Sequence, residues 1–287
     1  MSRVGFWGQK TMRRVAHAEK PLCADVVARD GRGVLDGGVN HVIRHHNTVL
    51  RPMGPWSPTV HRLLLHLRAR GFTLSPGYRG VTSEGLEILD YMEGTVGGYP
   101  ITPEAGTRDA LRSAARALRD LHDASASFTR ERSDKWMLAP RVPSEVICHG
   151  DFGPHNCVLQ GTDVVGMIDF DAAHPGPRLW DVAYSVYRWA PMSATSDVAD
   201  ARTVFGQAQR VQIFCDEYGL SRESREQVVD LVVDRLRALV DFMRHQAANG
   251  VETYARHVER GDDVLYSADI EYILANRTAF EERLALS

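Results

Sequence analysis

Cysteine is scarce in this 287-residue chain: Cys23, Cys148, Cys157 and Cys215 are the whole set, and no pair has Cys-x-x-Cys spacing. That argues against a disulfide framework, and Cys148 and Cys157 are expected as small buried thiols. No apolar run is long enough to span a membrane, and Met1–Lys10 lacks the apolar core of a signal peptide, so the cytoplasm is the expected compartment. There is no internal repeat and no low-complexity segment. Nor is there a large charge excess: the formal net charge is −3, which argues against nucleic acid as the main partner. With 44% hydrophobic and 25% charged residues the chain is not a disordered one.

The charge that is present is unevenly placed. Residues 1–100 hold 13 basic and 8 acidic groups, whereas residues 176–287 hold 13 and 18. A basic first part suits a polyphosphate ligand and an acidic last part suits a cationic acceptor, although ordinary solvated surface gives such asymmetry as well. Residues 1–32 show little periodicity and read as a loosely attached extension. From Gly33, three short strands joined by tight turns precede a helix whose face is marked by Val60, Leu63, Leu64 and Leu67. Ser57 and Pro58 read as its cap and first residue, and Gly71 as its stop. Two more strands, Pro76 to Val81 and Leu86 to Tyr91, complete a small β-rich lobe. Glu93-Gly-Thr-Val-Gly-Gly98 then breaks the pattern as a hinge would. A helix over about 107–124 follows, and everything after Leu179 reads as helical, with Ser224-Arg-Glu-Gln227 spaced as a capping box. The expected fold is α/β (α+β): a small β-rich N-lobe at 33–94 and a larger, mainly helical C-lobe at 95–287.

Two motifs carry the chemistry. In Val146-Ile-Cys-His-Gly-Asp-Phe-Gly-Pro-His-Asn-Cys-Val-Leu159, Asp151 is followed five residues later by Asn156; Val164-Val-Gly-Met-Ile-Asp-Phe-Asp171 then ends in carboxylates. Phosphoryl transfer requires one carboxylate to orient the acceptor hydroxyl, and a carboxylate with an amide oxygen to hold Mg²⁺. Asp151-Phe-Gly153 also spells the metal-binding tripeptide of protein kinases, but no His-Arg-Asp precedes it. Asn156 and Asp169 stand where Asp151 as the catalytic-loop residue requires them.

In these motifs the sequence resembles the aminoglycoside phosphotransferase family, small-molecule kinases with a protein-kinase-like fold. The resemblance spans roughly residues 33–250, with its diagnostic motifs in 149–181. It implies Asp151 as the catalytic residue and Asn156 and Asp169 as Mg²⁺ ligands, with Asp171 binding a second ion through water or holding the loop. It also implies His149 and Asp181 as structural supports of the catalytic loop, and hinge backbone around Asp90 and Met92 as the contact to the base of ATP or GTP. His155 reads as a loop histidine. The chain departs from the pattern at the nucleotide site. Arg51 stands where a lysine is expected, and Pro58 to Arg70 contains no acid to pair with it. Either Arg51 works unpaired or another cation, such as Arg44, holds the phosphates; Gly33, Gly37 and Gly38 suit a phosphate loop or a plain hairpin.

The implied activity moves the γ-phosphoryl of ATP or GTP to a hydroxyl of a small, hydroxylated and, from the charge split, cationic molecule. An aminoglycoside or another antibiotic is the first expectation, with Asp216 and Glu217 as acceptor-binding candidates. A metabolic kinase acting on an amino alcohol or sugar derivative is the alternative. Two other classes remain: a metal-dependent hydrolase built on His149, Asp151, His155, Asp169, Asp171 and His174, and an inactive nucleotide-binding protein.

Overall fold

The computed structural model describes residues 32–36 and 41–286. The N-terminal extension up to residue 31, Cys23 and the glycines at 37 and 38 lie outside the described residues. Strands β1 (Arg32–Asp36), β2 (His41–His45) and β3 (Thr48–Pro52) form an antiparallel meander. It continues through β5 (Leu86–Asp90) to β4 (Tyr78–Val81), giving the order β1-β2-β3-β5-β4. Side chains alternate across a strand, so Glu87 and Leu89 of β5 turn inward together while Ile88 and Asp90 turn to the other face. Against the inner face lies α1 (Ser57–Ala69), with Val60, Leu63, Leu64 and Leu67 buried at helical spacing. The expected serine cap is absent. Trp56 holds the N-cap position, and the Ser57 hydroxyl instead accepts the Gly54 amide at 3.0 Å, closing the turn that enters the helix.

The segment expected as an unstructured hinge contains a strand, β6 (Thr95–Val96), which pairs with β8 (Cys157–Gln160) beside β9 (Asp163–Met167). A second small sheet pairs β7 (Val146–Cys148) with β10 (His174–Gly176). Around these pack α2 (Arg108–Ser125), α3 (Arg178–Trp189), α4 (Val204–Tyr218), α5 (Arg222–Glu226), α6 (Val228–Ala248), α7 (Glu252–Arg260), α8 (Asp262–Ala275) and α9 (Arg277–Leu284). Helix α2 starts where Thr107 caps the Ala110 amide, and buries Leu111, Ala114, Ala115, Leu118 and Leu121. Helix α6 buries Val228, Val232, Leu236 and Met243. The capping box at Ser224 does not open α6: Ser221 caps the short α5, Ser224 lies inside it, and α6 begins after Gln227 without a side-chain cap. Cys148, Cys157 and Cys215 are buried free thiols. No helix among the described residues is long and apolar enough to cross a membrane.

Leu118 is fully buried in α2, in the core that carries the catalytic loop. Leu118→Ala should lower the unfolding free energy by about 2–5 kcal/mol, read as a lower urea midpoint.

Candidate active site

The chain leaves β7 into His149, turns sharply at Gly150 and re-enters regular structure at a 3₁₀ turn, Pro154–Asn156, before β8. Gly150 has φ +82°, and a Cβ there would stand 2.2 Å from the Ala172 carbonyl oxygen, so both conformation and space demand glycine. The loop is held from behind by a fully buried carboxylate. Asp181 of α3 accepts the His149 amide (2.6 Å) and the Gly150 amide (2.9 Å), and its Oδ2 also meets His122 Nε2 of α2 at 3.0 Å. Burial alone would raise the Asp181 carboxyl, but His122, His149 and the Gly150 amide outweigh it and hold it down to about 2. Arg235 of α6 adds a bond to the Gly150 carbonyl at 2.6 Å. The His149 ring joins the two motifs: Nε2 bonds the Ile168 carbonyl at 3.1 Å and Nδ1 accepts the Asp151 amide at 3.4 Å. Its pKa is lowered by burial, which keeps this neutral tautomer in place.

Asp151 is surrounded by donors. Tyr184 gives its hydroxyl to Oδ1 at 2.7 Å; Asn156 Nδ2 (2.9 Å) and His155 Nε2 (3.3 Å) approach Oδ2. Burial opposes ionisation here too, yet His155, Tyr184 and Arg188 hold the carboxyl well below the usual carboxylate range. Because Asn156 Nδ2 is committed to Asp151, its Oδ1 is the end left to ligate, and it makes no hydrogen bond among the described residues. The Asn156 carbonyl accepts the Ile168 amide at 2.9 Å, so Asn156 is fastened to the residue before Asp169. Asp169 itself adopts φ +62°, a left-handed conformation uncommon for a residue with a side chain, and its carboxylate is 46% exposed. An amide oxygen and an exposed carboxylate are hard donors of the kind that a divalent cation takes.

Arg51 does have an acidic partner, and it comes from the sheet rather than the helix. Arg51 and Glu87 are register partners on β3 and β5; Arg51 Nε donates to Glu87 Oε1, and Glu87 Oε2 is bonded by His61 Nε2 of α1. Glu87 is 1% exposed. The rest of the guanidinium crosses to the other lobe, with Nη1 3.0 Å from Asp169 Oδ1 and Nη2 2.5 Å from Asp171 Oδ1. Burial works against the Arg51 charge, but Asp171, Asp169 and Glu87 outweigh it and keep the guanidinium protonated. Asp171 is pushed up to about 6 by burial and by the charge of Asp169, against the pull of Arg51. Arg44, the alternative cation, is engaged with Glu93 at 2.7 Å and stacks over Tyr91.

The other expected residues lie apart. The Asp90 amide is spent on the Gly77 carbonyl (2.9 Å) and its carboxylate on Arg79, while the Met92 side chain packs against Gly166 of β9. A cavity of about 630 Å³ opens at this segment, lined by Arg68, Phe72, Gly77, Asp90 and Met92, but none of Arg51, Asp151 and Asp169 lines it. Asp216 and Glu217 do not join the catalytic cluster: on α4, Asp216 pairs with Arg225 and Glu217 with Arg112 and Arg116, which neutralise them. Of the histidines behind the hydrolase reading, His149 is engaged with the Ile168 carbonyl and the Asp151 amide, and His174 Nδ1 meets the Ala172 carbonyl at 2.9 Å. His61, Glu87, His122, Tyr184, Arg188 and Arg235 were not found from the sequence. Only Glu87 left a trace there, as a lone acid at an inward position of a β-strand.

Comparison with known proteins agrees with this arrangement. The profile of the phosphotransferase enzyme family matches residues 129–210, across both motifs. Over 236 residues the chain is 34% identical to the trifolitoxin immunity protein of Rhizobium leguminosarum bv. trifolii, covering 79% of this chain and 85% of that one. The chain belongs to the phosphotransferase family. Among solved structures, a choline/ethanolamine kinase family protein from Mesorhizobium loti superposes with a TM-score of 0.60 at 16% identity, covering 89% of this chain and 92% of that one. An amicoumacin kinase superposes with a TM-score of 0.57 at 9% identity, covering 81% and 89%. At such identities the likeness shows the fold, which is protein-kinase-like. This member is a phosphotransferase by family and protein-kinase-like by fold.

The Asp181 brace gives a pH signature. Its folded value of about 2 lies below the ordinary carboxylate value, so its contribution to stability is complete above about pH 4 and is lost as pH falls toward 2. Asp181→Asn should be less stable at neutral pH and should lose less stability between pH 4 and pH 2 than the wild type, read by denaturant melts across that window.

Proposed function

We propose that this phosphotransferase moves the γ-phosphoryl group of ATP to a hydroxyl of a small molecule, and that its physiological acceptor is a hydroxylated antibiotic or toxin. One observation carries the reading: Asn156 Nδ2 donates to the Asp151 carboxylate while its carbonyl accepts the amide of Ile168, next to Asp169, which supports Asp151 as the acceptor-side acid with Asn156 and Asp169 as metal donors. The immunity protein, 34% identical by sequence, supports a protective role by its name. The cytoplasm is where nucleotide and magnesium would be met.

The acceptor hydroxyl would lie against Asp151. Its oxygen forms the bond to the γ-phosphorus as the bond to the β–γ bridging oxygen breaks, and that electron pair leaves on the nucleoside diphosphate. The proton passes to Asp151. With its pKa held low, Asp151 is a weak base, so its work is mainly to orient the hydroxyl and to take the proton late. Asn156 Oδ1 and Asp169 Oδ2 would hold Mg²⁺, which when bound supplies charge neutralisation of the phosphates. Arg51, fixed by Glu87, would present its guanidinium to the α- and β-phosphates. The Asp90 carbonyl and the Met92 amide would meet the base, the Asp90 amide being already used.

Turnover of ATP in the presence of a panel of antibiotics and amino alcohols tests the reading. Asp151→Asn should leave Mg-nucleotide binding near the wild-type value while cutting transfer by about 10²–10⁴-fold. Asp169→Ala should abolish the metal dependence of binding of a nonhydrolysable nucleotide, measured calorimetrically with and without Mg²⁺. Near-wild-type transfer by Asp151→Asn would overturn the assignment of roles. A second expectation concerns the sheet acid: Glu87→Gln and Arg51→Ala should both raise the KM for nucleotide more than they lower kcat. An unchanged KM in both would show that another cation holds the phosphates.

A further inference from the structure

Arg188 of α3 is a cation that the transfer chemistry does not use. Its guanidinium stands 4.7 Å above the Tyr99 ring and 5.9 Å from the Tyr187 ring. Nη2 meets His155 Nδ1 at 3.4 Å, Nε is buried with no hydrogen-bond partner, and Nη1 has none among the described residues. Arg188 Nη2 and Asp151 Oδ2 thus approach opposite nitrogens of the His155 ring, at 3.4 Å and 3.3 Å. The chain Arg188–His155–Asp151 therefore runs straight to the catalytic carboxylate. Gly153 makes room for it: a Cβ there would lie 2.7 Å from the His155 ring and 3.3 Å from the Arg188 Cβ.

The neighbours of Arg188 are donors as well. Tyr266 lies within electrostatic reach of Arg188, Asp151 and Tyr99, and burial raises its phenol pKa, so it stays protonated. Neither the Tyr266 nor the Tyr99 hydroxyl has a hydrogen-bond partner among the described residues, and Tyr99 is 66% exposed, open to a ligand. The acids packed nearby are taken. Asp269 accepts the Tyr187 hydroxyl at 2.7 Å, Asp262 pairs with His257 and Arg260, and Asp263 pairs with Arg244. Beside Asp151 the protein thus offers a guanidinium edge and phenol hydroxyls without acceptors to satisfy them. A polycationic acceptor would bring more donors to this wall, whereas an anionic one would complete it.

We infer that the acceptor of this phosphotransferase carries an anionic group, a carboxylate in the first instance, bound by Arg188 between Tyr99 and Tyr266 while its hydroxyl lies against Asp151. This rests on the kinase reading and reverses the cationic acceptor that the charge split suggested. Arg188 acts as a specificity residue, since it contacts the part of the acceptor that does not react.

The test uses matched probes: straight-chain hydroxy acids of three to eight carbons and their primary amides. Binding to the full chain is measured by saturation-transfer NMR without nucleotide, and transfer by ³¹P NMR with Mg-ATP. For the chain length that fits, the acid should bind at least about ten-fold more tightly than its amide. Arg188→Gln should erase that ratio, Arg188→Lys should keep part of it, and Tyr99→Ala, at an exposed position, should reduce it without unfolding. A merely structural role would lower acid and amide alike and leave the ratio unchanged. Equal binding of acids and amides, no binding of any acid, or a preference that survives Arg188→Gln would overturn the inference. Asp151-dependent transfer to cationic acceptors alone would also overturn it while leaving the kinase reading intact. Acid binding that depends on Arg188, with no transfer to any acceptor, would fail the kinase reading and leave the anion site standing.

Discussion

The guanidinium of Arg51 ties the sheet of the upper lobe electrostatically to the segment after β9. Three carboxylates meet it: Glu87 from its own sheet, Asp169 and Asp171 from the segment after β9. Leaving three buried or half-buried acids close together without a cation would raise their pKa values and push the segments apart. Arginine suits the place better than lysine, because its planar fork sends three N–H directions to three partners at once. Lysine is rare in the chain, at positions 10, 20 and 135 alone. His61 extends the arrangement to α1, and its ring stacks on Tyr78 at 3.9 Å, so the helix, the sheet and the segment after β9 are set by one connected group.

The catalytic loop depends on a different economy. Its backbone donors are satisfied from below by Asp181, whose charge is in turn shared with His122, and His122 reaches Tyr218 at 2.7 Å. Three helices, α2, α3 and α4, thereby report to one loop through side chains that never touch the reacting atoms. Asp151 stands at the open end of this arrangement, with its own donors drawn from α3 and from the loop itself. One helix thus carries the brace, at Asp181, a donor to Asp151, at Tyr184, and a neighbour of His155, at Arg188. Those positions are spaced three and four residues apart, as one face of a helix requires.

What the sequence disclosed was what is local. Asp151 and Asn156, five residues apart, and Asp169 at the end of a β-run, are legible because their spacing is fixed by one loop and one strand. The N-lobe order was legible for the same reason, from alternation and helical periodicity. Glu87 was not, because its partnership with Arg51 is a cross-strand register between segments 36 residues apart. Asp216 and Glu217 drew notice as acids in an acidic region, yet composition does not say which arginines fold against them. Ser224 had the right spacing for a cap but lost to Ser221, three residues earlier, because spacing alone does not fix where the backbone leaves the helical region.

The pairing of β6 with β8 has a consequence for motion. Thr95 and Val96 belong to the sheet of the lower lobe, and Gly94, at φ +145°, sits where a Cβ would come 2.5 Å from the Leu159 carbonyl oxygen. The Tyr91 amide is bound on the other side to Asn47 of the upper sheet. Only Met92 and Glu93 lie between these two anchors, so the pivot is very short. Rocking of the upper lobe about it must carry Arg51 and Glu87 together as one rigid piece and break the bonds to Asp169 and Asp171 first. Opening then separates one buried cation from two acids, Asp169 and Asp171, together.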